Sequence, residues 1–185
     1  MKIRAIFELI PASLYSVKFE NETDHEFIRL FDLWNDTEYL EDFFETNRPK
    51  LINYWNGIST EDAVIRTRTS ANRLESKIIR IAKRGLNVSN ENLSGLFKPL
   101  HNHVTYVDNY EKNKAKGSES RSWLRMYAIR IDVNLFVISG GGIKLTRTMN
   151  EDHVLIKELK KLDLLRDYLI KNEDNNFETY ELSGF

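Results

Sequence analysis

Two apolar runs, 123–132 and 135–143, are separated only by Val133-Asn134. β-Branched and aromatic residues fill both runs, and a two-residue gap leaves no room for a crossover. The chain must therefore turn back on itself there as an antiparallel hairpin. Period two places Arg125 and Tyr127 on one face of the first strand, with Ile129 and Ile131 further along it, while Leu124, Met126 and Ala128 line the other.

A hairpin needs partners to bury its faces, and the remaining sequence supplies them. Residues 2–9 and 13–20 alternate around Pro11 and predict a strand pair. Thr23 with Glu26 reads as a capping box before Phe27, Leu30, Phe31 and Trp34, giving a helix over about 24–34. Asp36 caps a second helix, with Tyr39, Leu40, Phe43 and Phe44 as its stripe, and Arg48-Pro49 ends it. Ser59 and Asp62 open a long helix running through Ala63, Leu74, Ile78 and Ala82, with Gly85 at its C′ position. Residues 86–122 read as loop with one short strand at 103–107, and the run from Glu111 to Gly117 belongs to that loop. Asn150 caps a final helix carrying Leu155, Leu159, Leu162, Leu165 and Leu169, and 171–185 form a polar tail. The expected architecture is α+β: an N-terminal strand pair and helices packed on a small antiparallel sheet, with a C-terminal helix. One domain covers 1–185, its parts being an acidic 1–60, a basic 61–170 and the tail 171–185.

At 185 residues, 41% of them hydrophobic, the chain buries enough surface for a core, roughly 70% of what the unfolded form exposes. It has no cysteine, which excludes disulfides, zinc–thiolate sites and thiol nucleophiles. The opening 20 residues carry charges and alternate, which fits neither a signal peptide nor a membrane span, so a cytoplasmic protein without a membrane partner is expected. His25, His101, His103 and His153 lack the spacing of a zinc motif, and no metal or cofactor is expected. Gly140-Gly141-Gly142 is followed by Ile143-Lys144, without the Gly-Lys-Ser/Thr ending of a phosphate loop. These glycines read as a bulge or a point of close backbone approach.

The net charge of −1 conceals a strong division. Residues 1–60 carry 6 basic and 11 acidic groups, 61–150 carry 16 and 8, and 151–185 carry 5 and 9. The basic middle suits a polyanion, and equally an ordinary solvated face. Within it, Arg80, Lys83 and Arg84 lie on the long helix, Lys98, His101, Lys114 and Lys116 in the loop region, and Arg130 on the hairpin; together they are the candidate RNA-binding residues. RNA cleavage through the ribose 2′-hydroxyl needs no metal when cations steady the phosphate oxygens and side chains move the protons. Arg125, Tyr127, Lys144 and Arg147 supply those groups within one hairpin and its exit. An arginine paired with a carboxylate such as Asp132, beside a tyrosine packed on the sheet, is the plain structural alternative.

The segments LFKPL at 96–100, LRMYAIRI at 124–131, LFVIS at 135–139 and GGGIKLTR at 140–147, with the Lys-rich stretch between the first two, resemble the RelE and HigB superfamily of bacterial toxin ribonucleases over about residues 93–169. The resemblance implies a curved antiparallel sheet preceded by two helices, metal-independent cleavage of mRNA, commonly on the ribosome, and neutralisation by a cognate antitoxin. It assigns Arg125 to the strand arginine of that family, and Lys144 with Arg147 to the basic residues after the last strand. The chain departs from the family in its first 60 residues, which have no counterpart, and in showing Lys144-Leu145-Thr146-Arg147 where a Lys-Lys pair is usual. Two other readings draw on the same residues. A non-catalytic regulatory module would hold nucleic acid or protein on the basic middle, and a partner-binding protein would use the acidic, aromatic N-terminal helices.

Overall fold

The computed structural model describes residues 1–87, 90–100, 110–117, 119, 121–146 and 153–172, with side chains from 155 onward in the last stretch. Six strands form one sheet in the order β1-β2-β6-β5-β4-β3: β1 (Ile3–Ile10), β2 (Leu14–Phe19), β3 (Lys98–Pro99), β4 (Glu111–Lys116), β5 (Leu124–Asp132) and β6 (Leu135–Ile143). The hairpin β5–β6 is antiparallel and central, as its sequence requires, while β2 runs parallel to β6, so the sheet is mixed. Helices α1 (Glu26–Asn35), α2 (Thr37–Thr46), α3 (Arg48–Tyr54), α4 (Thr60–Arg84) and the short α5 (Leu93–Leu96) precede the hairpin, and α6 (His153–Lys171) follows it. The α+β architecture, with its N-terminal strand pair and C-terminal helix, is as expected. Among the described residues no helix is long and apolar enough to cross a membrane.

The sheet separates two cores. Leu14, Leu30, Trp34, Phe44, Leu74, Met126 and Phe136 pack on the side of α1, α2 and α4, and Val17, Tyr127, Ile129, Val137, Leu162 and Leu165 pack on the side of α6. The alternation Met126/Tyr127 and Phe136/Val137 sends neighbouring residues to opposite cores, which is the pleat expressed as burial. Asn134, in the hairpin turn, receives the N–H of Leu93 at 2.9 Å and donates to the Ala82 carbonyl and the Ser13 hydroxyl at 3.0 and 2.8 Å. It thereby joins the hairpin to α4, α5 and the β1–β2 turn. Gly85 has a right-handed backbone and is not a left-handed cap; a Cβ there would meet the Asn134 side chain at 2.2 Å.

Several local expectations are corrected. The cap of α1 is His25, whose Nδ1 accepts from the Ile28 N–H, and not Thr23, because Glu26 is drawn into the interior by cations. Pro49 opens α3 at its first turn, where a missing N–H costs nothing, as well as ending α2. The lysine-rich run read as loop is strand β4, with Asn113 and Ala115 turned inward. The strand expected at 103–107, the Asn150 cap and the tail beyond 172 fall outside the described residues. The glycine run does form a bulge: Tyr127 pairs with Gly140 and Ala128 with Ile138, leaving Ser139 extra.

That bulge serves a buried ionic cluster. β2 pairs with β6 only from Leu14 to Ser16, and beyond that point charged side chains occupy the interior between them. Lys161 lies 2.9 Å from Glu26 and 3.1 Å from Glu158, Arg29 lies 2.6 Å from Glu26, and Glu158 accepts the Gly141 N–H at 3.0 Å. At Gly140, with φ of 152°, a Cβ would stand 2.0 Å from the Glu158 carboxylate, so only glycine admits this approach. Replacing Lys161 by Ala leaves two buried carboxylates undercompensated. The expected loss is about 3–5 kcal/mol in denaturant unfolding, and a loss under about 1 kcal/mol would show the cluster to be dispensable. Burial raises the Glu158 pKa, with Glu26 adding to the effect and Lys161 and Arg29 opposing it. In the window between its unfolded and its raised folded value the folded state holds the extra proton, so this group's contribution makes stability fall as pH rises. Glu158→Gln should remove that part of the slope, and an unchanged slope in unfolding midpoints across mildly acidic pH would contradict the assignment.

Candidate phosphate-binding cleft

Strand register sets the first pair of cations. Arg125 on β5 stands directly opposite Lys116 on β4 and opposite Gly142 on β6. Cross-strand partners have Cβ atoms about 5 Å apart, and like charges so placed repel. β6 then continues past Gly142, its path held by the Lys144 N–H donating to the Trp123 carbonyl at 2.7 Å, which brings Lys144 to the same end of the sheet. A cleft of about 540 Å³ opens there, and its lining includes Lys116, Arg121, Arg125 and Lys144 together with Tyr54 and Trp55. Asn53, Asn56, Ser122, Leu145 and Thr146 complete it, and among the described residues no carboxylate lines it.

The wall is built from α3 and the segment entering β5. The Trp55 indole N–H donates to the Leu145 carbonyl at 2.8 Å, tying the end of α3 to the exit of β6. Arg121 lies 4.4 Å over the Trp55 ring and donates to the Tyr54 carbonyl. Trp123 meets Trp55 edge-on at 4.8 Å and donates to the Thr67 hydroxyl at 2.9 Å. Arg66 of α4 stacks 4.7 Å over Trp123, pairs with Glu119 at 3.0 Å and donates to the Arg121 carbonyl. Aromatic faces and cations alternate through this wall, each stack contributing about 0.5–2 kcal/mol.

Arg125 does not pair with Asp132. Its guanidinium donates to the carbonyls of Ser122 and Leu124, both at 2.7 Å, and burial lowers its pKa while its charge persists. Two of its five N–H donors are shown in use, so it is oriented and still able to bind an anion. Tyr127 is fully buried in the core under α6 beside Ile129 and does not line the cleft. Period two does put it on the face of Arg125, but α6 covers that face at Tyr127. Arg147 and His101 lie outside the described residues.

The other expected RNA-binding residues divide. Lys98 and Lys114 lie beside the cleft and line a neighbouring hollow with Lys116. Arg80 and Arg84 are on α4, both paired with Glu91, and Lys83 is exposed near them; none lines the cleft. Arg130 sits towards the other end of β5, its Nε donating to the Asp132 carbonyl at 3.4 Å. Arg121, Tyr54 and Trp55 were not anticipated. The signal available was an aromatic pair, Tyr54-Trp55, in a polar stretch, and an arginine two residues before a tryptophan. Among the described residues no group of three or more His, Asp or Glu side chains is placed to hold a metal ion.

No family model, curated protein or solved structure matches the chain. Arg66→Ala should loosen its wall, costing about 1–2 kcal/mol and raising the accessibility of tryptophan to acrylamide in fluorescence quenching. Unchanged quenching in a folded variant would show that the Arg66 stack does not hold the wall.

Proposed function

We propose that the protein binds RNA through this cleft and cleaves it as a metal-independent endoribonuclease of the toxin type, acting on mRNA in the manner the RelE and HigB resemblance suggests. One observation carries the reading: four cationic side chains converge on a hollow with an aromatic wall and, among the described residues, no lining carboxylate. Each pair of unit charges at 4 Å costs about 1 kcal/mol in water and about 4 kcal/mol at the effective dielectric of a protein surface. A phosphate entering the cleft relieves that repulsion.

In the proposed reaction the ribose 2′-oxygen gives its proton to a solvent water and bonds to phosphorus, while the bond from phosphorus to the 5′-oxygen breaks and that oxygen takes a proton from a lysine ammonium. Arg125, held by two carbonyls, steadies the phosphate oxygens as their charge grows. Lys144 or Lys116, ammonium groups lining the cleft, donates the proton to the leaving oxygen. Base and sugar rest against Tyr54 and Trp55, since a π-face accepts any base. The burial of Tyr127 removes a proton-transfer group from this scheme and favours a second reading, a non-catalytic module that holds RNA in the same cleft.

Induced expression of the wild-type chain beside Arg125→Ala and Lys144→Ala separates the two. Growth arrest with new ends in total RNA, reduced about a hundred-fold or more by each substitution, supports the ribonuclease. Intact RNA from protein shown to be folded, with RNA binding retained, supports the module. RNA cleavage that survives both substitutions removes the cleft from the reaction.

A further inference from the structure

We propose that the RNA crosses the sheet as a single strand, with one phosphate held at Arg125 and Lys144 and another held at a second subsite formed by Lys98 and Lys114. This rests on the RNA reading above for the identity of the ligand, and adds the direction in which it lies. Lys98 and Lys114 are direct cross-strand partners on β3 and β4, as Lys116 and Arg125 are on β4 and β5. Period two puts Lys114 and Lys116 on one face of β4, so two like-charged pairs stand side by side on the same face of the sheet.

A hollow of about 340 Å³ lies at the second pair, lined by Leu96, Lys98, Pro99, Lys114 and Lys116. Lys116 lines this hollow and the main cleft alike, so the two are neighbours across that side chain. Within the described residues, none of Lys98, Lys114 and Lys116 has a carboxylate partner. Lys112, the next residue on that face, does: it pairs with Asp163 of α6. The unpaired row thus begins where the helix stops covering the sheet. Lys98 and Lys114 each donate one hydrogen bond, to the carbonyls of Ser94 at 3.2 Å and Leu100 at 2.9 Å, and each ammonium has three donors. Burial, and then Lys116 and Arg125, lower the Lys114 pKa, the expected response of an ammonium that lacks an anion.

From β6 to β3 is three strand spacings, roughly 14 Å. The two hollows have the volume of small-ligand sites and not the width of a duplex. Leu96 and Pro99 offer an apolar floor to a sugar or base beside the second phosphate.

The test uses ligands that bind without being cleaved: a fluorescein-labelled 2′-O-methyl uridine dinucleotide, the corresponding decamer, and that decamer paired with its complement. Each is titrated by anisotropy against wild type, Lys98→Ala and Arg125→Ala over a range of salt. Arg125→Ala should weaken both single-stranded ligands. Lys98→Ala should weaken the decamer about five-fold more than the dinucleotide, and lower the decamer's slope of log affinity against log salt by about 0.7, the value for one phosphate contact of a single strand. Equal effects of Lys98→Ala on both lengths, an unchanged slope, or duplex bound as tightly as single strand would overturn the proposal. Decamer binding with these signatures but without cleavage of ordinary RNA would sink the ribonuclease and leave the track standing. No binding of any ligand to the wild type would sink both.

Discussion

The Lys161 ammonium, 2% exposed, stands between Glu26 and Glu158 in the gap where β2 leaves β6, and the elements on both sides of the sheet are fastened through it. Glu26 belongs to α1 on one face and Lys161 to α6 on the other. Arg29 adds a second cation to Glu26, and Glu158 takes the N–H of Gly141 in the bulge. Burying these charges is costly unless each is met by another, and here each carboxylate has a cation and the strand contributes a donor. The bulge fixes how far β6 extends, and β6 in turn sets the positions of Gly142 and Lys144. The cleft at the end of the hairpin is therefore placed by an interaction in the interior.

Charge is used in opposite ways at these two places. In the interior, cations and carboxylates alternate and the cluster is internally compensated. At the cleft and along β4, Lys116 faces Arg125 and Lys98 faces Lys114 across the strands, and Arg125 and Lys114 donate to carbonyls. Carbonyl acceptors orient Arg125 and Lys114 without neutralising them, so the attraction for an anion is retained. On α4 three of the seven basic groups are paired, Arg80 and Arg84 with Glu91 and Arg66 with Glu119. A near-zero net charge thus coexists with a local concentration of cations, since among the described residues the paired acids Glu91 and Glu119 sit against α4 and Asp163 of α6 sits against Lys112.

The central elements were legible because one physical rule dominated each of them. Period two with a two-residue gap determines β5–β6, and an apolar stripe between Ser59 and Gly85 determines α4. β4 was not legible: three lysines with Asn113, followed by Gly117 and a serine-rich stretch, resemble a loop, and its strand state comes from pairing on both sides, a long-range condition. Glu26 read as part of a cap because its partners Lys161 and Glu158 lie far along the chain. Of the cleft, Arg125 and Lys144 were found from charge and their place on the hairpin and its exit, and Lys116 from charge alone in a stretch read as loop. Arg121 and Trp55 were not, since their role depends on α3 folding back to the exit of β6, which one hydrogen bond from Trp55 to Leu145 records.

Arg125 and Tyr127 illustrate how far periodicity reaches. Both project from the same face of β5, two residues apart, yet Tyr127 is fully buried and Arg125 lines the cleft. The difference is the reach of α6, which lies over Tyr127 and Ile129 and has already given way to the lysine side of the sheet at Arg125. Alternation predicts which residues share a face, but not where the covering helix stops. On this sheet that boundary runs between Tyr127 and Arg125 on one strand and between Lys112 and Lys114 on the next. The groups lining the cleft are accordingly Arg121, Arg125, Lys116 and Lys144 with the aromatic wall of Tyr54 and Trp55, and Tyr127, which its sequence position suggested, is not among them.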